Sequence, residues 1–85
     1  MEHGETERVV VDYLAEHMEI EHSAINLKSN LFNDLGMDSI DALDMIAALE
    51  ERLNIEFEDD ELKHIRTVED VVVFVESTLG RKSGA

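Results

Sequence analysis

An all-α fold is what these 85 residues predict: a small bundle of three to four helices, with a long structured loop between the first and second. Three observations carry that expectation. Apolar residues recur at helical spacing in three separate segments, and residues able to cap a helix stand at the segment ends. Each segment is 13 to 15 residues long, enough for three or four turns.

The first segment, residues 6–18, reads "TERVVVDYLAEHM" and sets Val10, Tyr13, Leu14 and Met18 on one face. Thr6 is its expected N-cap. Residues 39–53, "SIDALDMIAALEERL", set Ala42, Met45, Ile46, Leu49 and Leu53 on one stripe, with Asn54 as the stop. Residues 67–79, "TVEDVVVFVESTL", do the same with Val68, Val71, Val72, Val75 and Leu79. Thr67 with Asp70 three residues on resembles a capping box, and Gly80 is the expected C-cap. Residues 59–64 have room for one short helical turn. The valine runs in the first and last segments favour strands by propensity. Two isolated strands would make a marginal sheet, however, and the caps and lengths favour helix.

Between Met18 and Ser39 no period is visible. A connection this long tends to be functional or disordered. Ile25, Leu27, Leu31, Phe32 and Leu35 give it too much apolar surface to float free. It is expected to pack over the end of the bundle and deliver Gly36–Ser39 to a defined place. The chain reads as a single domain, residues 1–85, with an ordered core over about 6–79 and a flexible tail over 80–85.

Composition excludes several function classes. The chain has no cysteine, so it can form neither a disulfide nor a thiolate metal site, and it has no thiol of its own for catalysis. The opening "MEHGETER" is acidic rather than basic and then apolar, and no run approaches membrane-spanning length, so a cytoplasmic protein without a membrane span is expected. The formal net charge is −14. Between Asp34 and Glu61 stand eleven acids, and Arg52 is the only base. Such a surface repels nucleic acid, whose binding rests on phosphate neutralisation, and steers toward basic patches on proteins.

Asp38 and Ser39 stand where the loop gives way to the second helix, and either can cap it. If Asp38 caps, Ser39 becomes the first helical residue with its hydroxyl in solvent. A phosphate carried there would sit at the positive end of the helix dipole, beside N–H groups without intrahelical partners. Gly36 would let the loop turn tightly into that position. The same helix carries a second apolar line, Ile40, Leu43 and Ala47. That line is either a broadening of the core stripe or an exposed ridge between acids that presses into partners.

The stretch "LFNDLGMDSIDALDMIAALEERLNIEF" resembles acyl carrier proteins, whose hallmark is an Asp-Ser-Leu triplet entering the second helix. The likeness runs from about residue 8 to 79, through "LGMDSID", "ALEERLNIEF" and "IRTVEDVVVFV". It implies a carrier with no catalytic residues. In that family a phosphopantetheinyl transferase (holo-synthase) moves the 4′-phosphopantetheine arm of coenzyme A onto the serine, and acyl groups ride on its thiol as thioesters. By resemblance Ser39 is the attachment residue, Asp38 and Asp41 flank it in the transferase's grip, and Asp44, Glu50 and Glu51 meet basic docking patches. Those patches belong to the acyl-transferring, condensing and modifying enzymes of fatty-acid or related polyketide and lipid biosynthesis. Met45, Ile46 and Leu49, with Val71 and Val75, are the residues expected either to line a cavity for the acyl chain or simply to fill the core. A monomer, and a discrete carrier rather than an excised module, is expected. Ile40 stands in place of the commoner leucine, Met37 of alanine and Glu58 of proline, which leaves open whether the role is housekeeping or specialised.

Other readings make different use of the same residues. An aminoacyl or peptidyl carrier would use the same serine. A calcium loop alternates oxygen ligands, and one starting at Asn33 or Asp34 puts Leu35 or Gly36 where the second ligand belongs, so that spacing fails. A plain acidic interaction module would leave Ser39 without a role. His3, His17, His22 and His64 have no metal-ligand spacing and read as surface residues, so no metal site is expected.

Overall fold

A computed structural model describes residues 3–57, 60 and 63–84. Among these lie three α-helices, α1 (His3–Met18), α2 (Ser39–Leu53) and α3 (Val68–Gly84), with a short 3₁₀ turn at His22–Ala24. The expected all-α bundle is observed. Both valine runs are helical: Val10 in the first, and Val71, Val72 and Val75 at helical spacing in the last, are buried in a common core. Of residues 59–64, where the extra short turn is expected, 59, 61 and 62 lie outside the described residues.

The three stripes meet. Val10 and Leu14 from α1, Met45 and Leu49 from α2, and Val68, Val71, Val72 and Val75 from α3 are fully buried. Helix α1 packs mainly along α3 and less extensively against α2. The radius of gyration is 12.0 Å, which matches the value of about 12 Å for one compact body of this length.

Helix ends follow local chemistry, with two departures. Helix α2 starts and stops where the sequence places it. Asn54 adopts the left-handed conformation (φ 55°, ψ 51°) and the Ile55 N–H bonds to the Glu50 carbonyl at 3.1 Å, closing the last turn. Helix α1 begins at His3, so Thr6 is internal rather than its N-cap. The acidic Glu5 in the new first turn suits the dipole there. Its exit copies that of α2: Glu19 takes φ 57° and Ile20 N–H reaches the Ala15 carbonyl at 3.0 Å. Gly80 is likewise internal, since α3 runs through to Gly84. A glycine C-cap needs a left-handed conformation, and among the described glycines only Gly36, in the loop before α2, has a positive φ.

The connection from Glu19 to Asp38 is pinned from within and from α3. Asn30 Oδ1 accepts the N–H groups of Phe32 and Asn33, both at 2.9 Å, and Asp34 Oδ2 accepts the Asn30 N–H at 2.7 Å. An isolated antiparallel bridge joins Asn30 to Thr67. Around it, Leu31 N–H donates to the Arg66 carbonyl and Val68 N–H to the Ser29 carbonyl. Thr67 and Asp70 form the expected capping box, with Thr67 Oγ1 and Asp70 Oδ2 each accepting from the other's N–H. Ile25, Leu31 and Leu35 are buried, while Leu27 and Phe32 pack half-buried against the core. The loop is thereby fixed over the bundle's end, and Met37 N–H to Leu31 carbonyl (3.0 Å) sets the approach to α2.

Candidate functional site

Gly36 turns the chain with φ 77°, and an added Cβ there would meet nothing within 4 Å, so it is the backbone conformation that asks for glycine. Asp38 then caps α2. Its Oδ1 accepts the Asp41 N–H at 2.9 Å, and Asp41 Oδ2 accepts the Asp38 N–H at 3.2 Å. This is a capping box with aspartate in the fourth position. Ser39 is therefore the first residue of α2, and its side chain is exposed. The Ser39 and Ile40 amides have no intrahelical acceptor at a helix start, so this is a favourable place for an oxyanion. Asp38 and Asp41 carry charge of the same sign as an oxyanion, which water screens in part because Asp38 is exposed and Asp41 half-buried.

Asp41 is held below the ordinary carboxylate value, first by the Asp38 N–H and then by His17, whose Nε2 lies 3.2 Å from Oδ1. It is thus ionised at neutral pH. The His17 ring stacks on Tyr13, with centroids 5.2 Å apart and planes at 13°. Burial, followed by the charge of Asp44, pushes the Tyr13 hydroxyl up, so it stays protonated. Arg52 lies over the Tyr13 ring at 5.6 Å. The sequence alone offered no sign of these α1–α2 contacts.

Ser39 also borders an apolar cleft of about 260 Å³ lined by Phe32, Ala42, Leu43, Met45, Ile46 and Ile65. Met45 and Ile46 reach this cleft, whereas Leu49, Val71 and Val75 are fully buried in the core and do not line it. Phe32 and Ile65 join it from the loops on either side of α2, which no single-helix periodicity could have shown.

The second apolar line of α2 is exposed. Ile40 and Leu43 are 67% and 62% accessible, and Ala47 is exposed beside them. Asp44 and Glu51 are exposed on the same helix, but Glu50 is half-buried, with its Oε2 accepting the Phe57 N–H at 2.9 Å. Glu50 is thus bonded inside the fold.

Residues 8–75 match the family described as a phosphopantetheine attachment site. An acyl carrier protein of Amoebophilus asiaticus is 35% identical, over 93% of this chain and 99% of that one. One from Coprothermobacter proteolyticus is 39% identical, over 81% and 84%. The chain belongs to the acyl carrier protein family. The crystal structure of the acyl carrier protein from Thermotoga maritima superposes with a TM-score of 0.81, at 28% identity, over 95% of this chain and 94% of that one. Family membership makes the chain a carrier rather than an enzyme, with 4′-phosphopantetheine as its prosthetic group. Among the described residues no helix is long and apolar enough to cross a membrane.

Proposed function

We propose that Ser39 bears the 4′-phosphopantetheine arm and that the chain carries acyl groups between cytoplasmic enzymes of fatty-acid or related polyketide and lipid biosynthesis. The observation that carries this reading is the placement of one exposed hydroxyl at the capped start of α2, on the rim of an apolar cleft. When bound, the arm supplies a thiol that holds acyl groups as thioesters. The chain's own residues do the rest. Asp38 and Asp41 hold the first turn so that the Ser39 Oγ stands clear of the fold. The amides of that turn favour a phosphodiester oxygen. The cleft lined by Phe32, Met45 and Ile65 shelters a short apolar segment; its 260 Å³ lies just under the usual size of small-molecule sites, about 300–1,000 Å³. Ile40, Leu43 and Ala47, flanked by Asp44 and Glu51, give partner enzymes an apolar ridge between acids, suited to basic docking patches.

The test is loading. The apo-protein is incubated with coenzyme A, Mg²⁺ and a broad-specificity phosphopantetheinyl transferase, then weighed by mass spectrometry. The Ser39 Oγ–P bond forms as the pyrophosphate link of coenzyme A breaks, 3′,5′-ADP leaves and the hydroxyl proton is released, so the mass rises by one arm. Ser39→Ala is expected to gain nothing while keeping its helical spectrum. An unchanged wild-type mass would end the attachment reading.

A further inference from the structure

His17 lies in the last turn of α1, yet its ring reaches the residues that open α2. Nε2 is 3.2 Å from Asp41 Oδ1, while Asp41 Oδ2 accepts the Asp38 N–H and Asp38 Oδ1 accepts the Asp41 N–H. An ionised carboxylate only accepts, so Nε2 carries the hydrogen. The ring is itself held flat against Tyr13, a buried residue. The Asp44 carboxylate lies near the same pair, with its ligating oxygen within 4.8 Å of those of His17 and Asp41. A capping box usually closes within one helix. Here it has a third partner from another helix, and Ser39 stands inside the box.

We propose that His17 is a positioning residue for the loading of Ser39: it anchors Asp41, and through the capping box the whole first turn of α2, to the body of α1. This rests on Ser39 being the attachment residue. Helix starts fray because their first amides lack intrahelical partners. A frayed turn would have to be ordered by the transferase on binding, at a cost in affinity. The anchor pre-orders that turn. Its effect falls on recognition, because His17 sits behind Asp41 and contributes nothing to the transfer itself.

Loading rates are measured against carrier concentration for wild type, His17→Ala and His17→Gln, with amide hydrogen exchange followed in parallel. His17→Ala is expected to raise KM about three- to tenfold, the size of one partly exposed charge-assisted bond, with kcat unchanged. Gln can donate to Asp41, so His17→Gln should recover most of the loss. Exchange at the Asp38 and Asp41 amides should quicken in the Ala variant while that at Leu14 and Leu49 stays as in wild type. An Ala variant with wild-type KM and exchange overturns the proposal, as does a Gln variant no better than Ala. Faster exchange throughout the core would also overturn it, by making His17 a general support of the fold. A wild type that takes no arm, or a Ser39→Ala chain that takes one, sinks the attachment reading and the positioning role together. Normal loading of wild type with an indifferent His17 sinks only the latter.

Discussion

Two leucines on α2 give the sharpest test of how this helix divides its work. Leu49 is fully buried, whereas Leu43, six residues earlier, is 62% accessible. Truncating Leu49 to alanine removes a side chain from a closed core and leaves a cavity, which costs about 2.7–5 kcal/mol. A chain of this length has a total stability of about 4–13 kcal/mol. The variant is therefore expected to melt about 10–40 °C lower, at about 4–8 °C per kcal/mol for a small domain. Leu43→Ala gives up only the covered third or so of its side chain, and alanine is the better helix former, so the net cost is about 0.5 kcal/mol and the melting shift a few degrees. Docking should show the reverse order. At a temperature where both are folded, Leu43→Ala should raise KM for a partner such as the transferase severalfold, and Leu49→Ala should not. Far-UV circular dichroism melts and loading rates measure the two axes. The reasoning fails if the two variants melt together, or if Leu43→Ala leaves docking untouched.

Gly36→Ala forces an L residue to φ 77° with no clash to relieve, so the cost is that of the backbone alone, about 1–2 kcal/mol, read as a lower urea midpoint at unchanged m-value. Gly36→Asn should cost less, because asparagine tolerates that region; equal losses would count against the backbone explanation. Acid should separate Asp41 from its uncharged isostere. Since the folded state lowers this carboxyl below its ordinary 3.8, its contribution is fully present above that value and disappears as pH falls through the lower folded one. The melting-temperature gap between wild type and Asp41→Asn is expected to close on acidification, and a gap independent of pH would refute the assignment.

Local signals made α2 legible residue by residue. Asp38 and Asn54 act within a turn of themselves, and the apolar stripe between them is regular. Where the deciding signal was not local, the sequence misled or stayed silent. Gly80 has the residue type of a C-cap but not the required left-handed turn, and Glu19 makes that turn without being a residue that advertises it. The bridge between Asn30 and Thr67 and the bond from His17 to Asp41 join residues far apart in the chain. Neither has a periodicity to detect, though together they fix the loop and the first turn that flank Ser39.

The same distinction explains how one helix can be both core element and docking surface. A helix buries a single stripe, and α2 spends Met45, Ile46 and Leu49 on it. Ile40 and Leu43 lie off that stripe, and burying them too would require a fourth element on the outer side of α2, beside the acids Asp44 and Glu51. Among the described residues no element packs over them, and about two thirds of each side chain stays exposed. That exposure forgoes about 1–2 kcal/mol apiece, a substantial share of what a domain this small has. A ridge that only lowered stability would be expected to read as polar. That it is isoleucine and leucine between acids in this chain is what the docking reading accounts for. Replacing both by glutamine should therefore leave the melting temperature within a few degrees and remove recognition by partners with basic patches; a variant that docks as before would return the ridge to being unexplained surface.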